Sequence, residues 1–187
     1  GMHWTMNTMN PEILEEDGKR NIASHFYPLT GPYSSSDPNI IEYQLLLMKY
    51  SGIDGILIDW YGSTDINDYK TIRQNSETLI KALDNTGLDF AIVYEDRTIA
   101  EVIDEDVLSF KIEAAQEDMV YIEQNYFNNP HYIKINDEPL LLVFGPEVFH
   151  NHEDWEQIVD AFDSQPCLIV LNGKSNETVP VSSGEYI

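Results

Sequence analysis

An acid and two aromatics, Asp59-Trp60-Tyr61, close the apolar run Gly55–Ile58, and a second acidic pair, Glu95-Asp96, closes the run Asp89–Tyr94. Apolar runs of this length read as strands of a parallel sheet covered on both faces. In α/β folds the ligand site gathers at the carboxyl ends of such strands. A carboxylate beside a flat ring suits a sugar, which offers hydroxyls to bond and C–H faces to stack. Glycoside hydrolysis calls for two carboxyls flanking the scissile bond, one protonated and one ionised. Neighbouring strands lie about 4.8 Å apart, so Asp59 and Glu95 on consecutive strands can approach the ~5 Å separation of a retaining pair. The plainer alternatives are that Trp60 and Tyr61 close the top of the core, and that the acids pair with a neighbour such as Arg97. On the residues alone, both stay open.

Other chemistries are weaker. Asp59, Glu95 and Asp96, with Glu101, Asp104, Glu105 and Asp106, offer hard oxygen ligands, yet no loop has the ligand spacing of a calcium hand. The acids around Asp104 fall where a helix N-terminus favours negative charge. His150-x-His152 beside Glu153 lacks a third, strand-borne histidine and reads as a solvated helix start. His25 is expected inside a first strand, as a rim or core residue. There is no phosphate-cradling glycine loop, serine elbow or redox cysteine pair. Cys167 stands alone in the apolar run Cys167–Leu171 and reads as an inert buried thiol. The reading expects neither metal nor cofactor.

Five apolar runs are expected to be strands: Ile22–Phe26, Gly55–Asp59, Asp89–Tyr94, Leu140–Phe144 and Cys167–Leu171. Helical patterns lie between them. Asp37-Pro38 is an N-cap acid followed by proline at the first helical position, and Ile41, Leu45 and Met48 then share one face. A second helix carries Leu79, Ile80 and Leu83 and stops near Gly87. A third starts around Asp104, with a stripe of Leu108, Ile112, Ala115, Met119, Ile122 and Tyr126. A short fourth buries Trp155, Ile158, Val159 and Phe162. Before the fourth strand, Tyr132–Ile135 and Asn136–Pro139 read as a short strand and a turn. The alternation predicts an α/β fold of about five parallel βα units. Residues 1–20 form an arm, 21–173 the βα domain, and 174–187 an irregular tail.

The chain has 187 residues, enough for one domain with a real core. Its 33 acids against 10 bases give a net charge of −23, which argues against nucleic acid and against anionic membranes. Neutral glycans remain compatible. No run is long and apolar enough to span a bilayer. No export signal is visible, and Gly1 before Met2 reads as an expression scar, so the compartment stays undetermined.

Two longer stretches carry a family resemblance. Phe26-Tyr-Pro-Leu-Thr-Gly-Pro-Tyr-Ser-Ser-Ser-Asp-Pro38 followed by Ile53-Asp-Gly-Ile-Leu-Ile-Asp-Trp-Tyr61 resembles glycoside hydrolase family 99, the endo-α-mannosidases, and the related family 71. Tyr94-Glu95-Asp96-Arg97 stands where the mannosidases carry His-x-Glu-Pro-Tyr. Asn129-Pro-His-Tyr132 with Glu138-Pro-Leu-Leu-Leu-Val-Phe-Gly145 is similar to the family's hairpin and following strand. The resemblance implies part of a (β/α)8 barrel, a TIM-barrel-like fold, and a retaining cleavage of internal α-mannosidic bonds. That chemistry uses the sugar's own 2-hydroxyl and two carboxylates. It further implies a glycan partner at the barrel mouth, with Asp59 and Glu95 in contact with it. Trp60, Tyr61 and Asp96 would contact the substrate there, and Tyr27 and Tyr33 would reach in from a loop. By analogy with bacterial members, the protein would be secreted or periplasmic.

Departures from the family are equally specific. Its catalytic pair sits in an Asn-Glu-Trp-x-x-Glu-like segment on a late strand, and this sequence holds no Asn-Glu-Trp. Glu153-Asp154-Trp155-Glu156 imitates it only superficially, because it opens an amphipathic helix. A full barrel takes about 250 residues, so the chain reads as the central part of a barrel without its flanks. It is expected to be a piece of a longer hydrolase or a short relative. The alternative function is a non-catalytic glycan-binding remnant. Free sheet edges predict pairing with a second copy.

Overall fold

The apolar run before Asp59 forms strand β1 (Gly55–Trp60), which pairs in parallel with β2 (Asp89–Tyr94). The computed structural model describes residues 2–103 and 108–187, without the side chains of residues 2, 3, 108 and 109. The acids Asp104, Glu105 and Asp106, and the expected start of the third helix, lie outside the described residues. Beyond β2, the hairpin strands β3 (Lys134–Ile135) and β4 (Glu138–Val143) pair antiparallel. Asn136 and Asp137 turn between them at φ +53° and +71°, the left-handed pair that a two-residue hairpin turn requires. β4 lies parallel to β2, β5 (Cys167–Leu171) parallel to β4, and β6 (Gly184–Tyr186) parallel to β5. The parallel strands thus run in the order β1-β2-β4-β5-β6, each beside its predecessor in the chain. This is a partial α/β-barrel-like sheet of five parallel strands.

Helices supply the outer layer. After the single turn α1 (Met2–Thr5), α2 (Pro38–Tyr50) begins at Asp37, whose Oδ1 accepts the Asn39 N–H at 2.9 Å. Ile41 and Leu45 are its buried residues. α3 (Tyr69–Leu83) buries Tyr69, Ile80 and Leu83. The short α4 (Ile99–Val102) precedes α5 (Leu108–Ile122), which buries Ile112, Ala115, Met119 and Ile122 at helical spacing. A π-helical segment, Glu123–Phe127, extends α5 and delivers Tyr126 and Phe127 into the core. In α6 (His152–Val159) Trp155 is fully buried and its Nε1–H donates to Phe149 O at 2.8 Å. Glu153–Glu156 is therefore a packing segment on a helix. Among the described residues, no helix is long and apolar enough to cross a membrane.

Three expectations change. Ile22–Phe26 is not a strand: Ala23 donates to Trp4 O and Asn21 to Ile13 O, while His25 packs edge-on against an exposed Phe26. An apolar run becomes a strand only when a neighbour offers its N–H and C=O groups. Second, β1 is an edge strand, not a central one. Ile56, Ile58 and Trp60 face the helices, while Leu57 is 53% exposed and Asp59 is exposed on the other face. Only β2 has the two-sided burial expected for both. Third, the tail expected to be irregular supplies β6, so the count of five parallel strands holds with a different membership.

Candidate functional site

Strand alternation sorts the tip residues into two sets. Parallel register sets Asp59 opposite Val93 and Trp60 opposite Tyr94. Residues two apart share a face, so Leu57, Asp59 and Tyr61 lie on the inner side of the sheet with Ala91, Val93 and Glu95. Trp60, Tyr94 and Asp96 belong to the helix side. The backbone continues the ladder to the tip, where Glu95 N–H donates to Trp60 O at 3.2 Å.

On the inner side Asp59 and Glu95 come within hydrogen-bonding reach of one another. Two carboxylates bond each other only if one keeps a proton. Burial, and next the negative Asp59, push the Glu95 pKa above its ordinary value, while Arg97 pulls it back. The Arg97 Nε–H donates to Glu95 Oε2 at 2.6 Å. Tyr61 has its phenol pKa raised by burial, then by Asp59 and Glu95. Tyr186, from the strand that was not foreseen, is raised by the same three influences, and its hydroxyl donates to Val143 O at 3.2 Å. Register also sets Phe144, 45% exposed, beside Glu95 at the tip of β4. Phe144 and Tyr186 are rim aromatics that the sequence reading passed over. Phe144 ends an apolar run, which was the available signal; Tyr186 follows Ser183-Gly184-Glu185 and had none.

Trp60 and Asp96 sit on the helix side of the sheet. Trp60 is 1% exposed, its ring packs among Tyr94, Tyr121 and Tyr126, and its Nε1–H donates to Tyr126 Oη at 3.2 Å. It has no face free for a sugar. Asp96 is fully buried and accepts the backbone N–H groups of Glu147, Val148 and Phe149 at 2.8 to 3.3 Å. Its carboxylate ties the tip of β2 to the loop after β4. Burial raises its pKa, opposed by those same amides.

The loop bearing Tyr61 is held from both sides. Gly62, at φ +111°, passes so close to Asp118 that a Cβ would sit 3.1 Å from its Oδ2. The buried Asp118 accepts Ser63 N–H and Ser63 Oγ–H at 2.7 Å each, and the Tyr94 hydroxyl at 3.1 Å. Arg73 Nη1 donates to the carbonyls of Gly62 and Ser63 at 3.2 and 2.7 Å. Tyr27 and Tyr33 stay within the N-terminal segment. The Tyr27 hydroxyl accepts Arg20 N–H at 3.1 Å, and Tyr33 meets the Trp4 ring edge-on at 5.3 Å. Neither lines the cavity that contains Glu95.

His150 bonds Glu177 at 2.7 Å and His152 lies 3.3 Å from Glu153. Among the described residues, no three His, Cys, Asp or Glu side chains converge as a metal site would require.

A parallel sheet wound in chain order, with helices outside and an acid pair at the strand tips, is the layout of a partial α/β barrel. The model of glycosyl hydrolase family 99 matches residues 3–167, and the chain belongs to that family. It is 35% identical over 75 residues to a glycoprotein endo-α-1,2-mannosidase of Xenopus laevis, covering 37% of this chain and 16% of that protein. It is 31% identical over 74 residues to a human glycoprotein endo-α-1,2-mannosidase-like protein, covering 38% of this chain and 15% of that one. The solved GH99 endo-α-mannosidase of Bacteroides thetaiotaomicron superposes with a TM-score of 0.66 at 20% identity, over 95% of this chain and 54% of that one. The chain thus spans about half the length of the bacterial structure, and the aligned segments about a sixth of the animal relatives.

Proposed function

We propose that this chain binds α-linked, mannose-containing glycans at the inner rim and acts there as a glycoside hydrolase through Asp59 and Glu95. Membership of the family supports the glycan class. The observation that carries the reading is the mutual approach of the Asp59 and Glu95 carboxyls on one face, with Glu95 biased toward its protonated form. In this reading Glu95 donates a proton to the leaving oxygen. Asp59, beside it, assists the sugar's own hydroxyl or a water. Phe144 and Tyr61 give the sugar apolar faces at the same rim.

Turnover of a chromogenic α-mannoside and of mannan tests this. Glu95→Gln should lower turnover by more than about 100-fold, as the loss of a general acid does. Unchanged turnover removes Glu95 from the mechanism.

A second reading is a rim that binds glycan without cleaving it. One observation favours it: the 2.6 Å bond by which Arg97 engages Glu95. Binding of mannobiose with no cleavage over days would support this reading over the first. We further propose that two copies associate through the open inner face and the free edges of β1 and β6.

A further inference from the structure

Helix α2 is apolar on two opposite sides. Ile41 and Leu45 are buried in the core, while Tyr43, Leu46, Leu47 and Tyr50 recur at i, i+3, i+4 and i+7 on the outer side. Leu46 and Leu47 are each 49% exposed and Tyr50 is 94% exposed. Ile53, exposed just past the helix end, continues the patch. Apolar side chains of this size gathered on one face mark a contact surface. We infer that the stripe is a self-association face, on which α2 packs antiparallel against α2 of a second copy. It is separate from the open inner side of the sheet, since α2 lies in the outer layer of helices.

Two features of the stripe select a second copy as its occupant. The first is its own symmetry. A two-fold axis between Leu46 and Leu47 lays Leu46 over Leu47 of the other copy and Tyr43 over its Tyr50, so each large apolar side chain meets another. The second is charge. The chain carries −23 overall, yet α2 holds one acid, Glu42, and one base, Lys49, and has no net charge. Seven residues apart, the two flank the stripe on the same side, two turns from one another. When two such helices run antiparallel, equivalent flanks face each other in reversed order, which brings Glu42 of each copy to Lys49 of the other. The Glu42 carboxylate is exposed and has no partner among the described residues. Lys49 gives one of its three N–H bonds to Gly87 O at 2.9 Å, which holds the cation on that flank with donors to spare. A purely basic helix would leave Lys49 facing a like charge, and a purely acidic one would do the same to Glu42.

A single pair of helices buries less than about 1,200 Å², the range of transient contacts. Pairing on the order of 100 μM or weaker follows, below what a sedimentation run at micromolar concentration registers.

Dilution of the ¹⁵N-labelled chain from about 1 mM tests the inference, in a Leu57→Lys/Phe144→Lys background that removes contacts of the inner face. Concentration-dependent amide shifts are expected at Tyr43, Leu46, Leu47 and Tyr50. Glu42→Lys alone and Lys49→Glu alone should each weaken pairing about tenfold, by setting like charges opposite one another at both ends. Glu42→Lys should do so even though it lowers the general repulsion between copies. Mixed in equal parts, the two variants should regain the parent's response, because each then meets its opposite. Leu46→Glu, at a half-exposed position, should abolish the response, and carries the test alone if Lys49→Glu, which loses the Gly87 bond, does not fold. No shift on dilution, variants that pair as well as the parent, or a mixture of folded variants no better than its components overturns the inference. A stripe that shifts only when a different protein is added belongs to that partner, which overturns it as well.

Discussion

The Asp96 carboxylate, at the tip of β2, lies 2.5 Å from where a Cβ would stand on Gly145, just past the tip of β4. The same Cβ would come within 2.9 Å of the Glu147 backbone nitrogen. Only a residue without a side chain lets the loop fold its amides onto the buried acid. Gly145→Ala is therefore expected to destabilise the chain by about 1–3 kcal/mol through overpacking. Asp96→Ala, which strands the amides, should cost about 3 kcal/mol or more. Urea denaturation of both variants checks this, and losses under ~0.5 kcal/mol would mean the lock is decorative.

Trp60 gives a contrast within one dipeptide. Its near-complete burial predicts that Trp60→Ala costs about 3–5 kcal/mol, the range for deleting a large core aromatic. Any loss of glycan binding in that variant should follow the fraction folded, which binding and circular dichroism on the same sample would compare.

Glu95 makes stability depend on pH. Its folded pKa is raised by burial and by Asp59, so the folded state favours the neutral acid. That contribution is complete below the ordinary glutamate value and is lost as pH rises through the raised folded one. Glu95→Gln stays neutral throughout. The variant should be more stable than the parent at pH 7, and the gap should shrink on acidification until it closes below about pH 4.5. A gap that is flat with pH would show that Glu95 does not titrate as its surroundings dictate.

Association should respond to salt. Leu57 at 53% and Phe144 at 45% exposure leave the inner face partly apolar, while two copies at −23 each repel one another. Screening shortens the reach of that repulsion from about 10 Å at 0.1 M salt to about 3 Å at 1 M. Sedimentation should show self-association strengthening with salt and disappearing in a Leu57→Lys/Phe144→Lys chain. A monomer at every ionic strength removes the paired arrangement.

Much of this architecture was written in local patterns. The Asp37-Pro38 helix start, the stripe Ile112–Ile122 and the run Asp89–Tyr94 each encode their element through short-range sterics and burial period, and the structure has all of them. Of the turn expected over Asn136–Pro139, Asn136 and Asp137 form it, while Glu138 and Pro139 open β4. The alternation of strand and helix likewise gave the partial barrel. Adjacent residues of a strand point to opposite faces, so Asp59 and Trp60 cannot share a mouth, nor can Glu95 and Asp96. What alternation leaves undecided is which of the two faces looks inward, since that depends on where the helices lie. The packing of α5 and its π-helical end against Trp60, and the amides of residues 147–149 around Asp96, made that choice. Tyr186 was beyond local reading for a similar reason. A three-residue strand has too few residues to declare itself, and exists because β5 offers it a ladder.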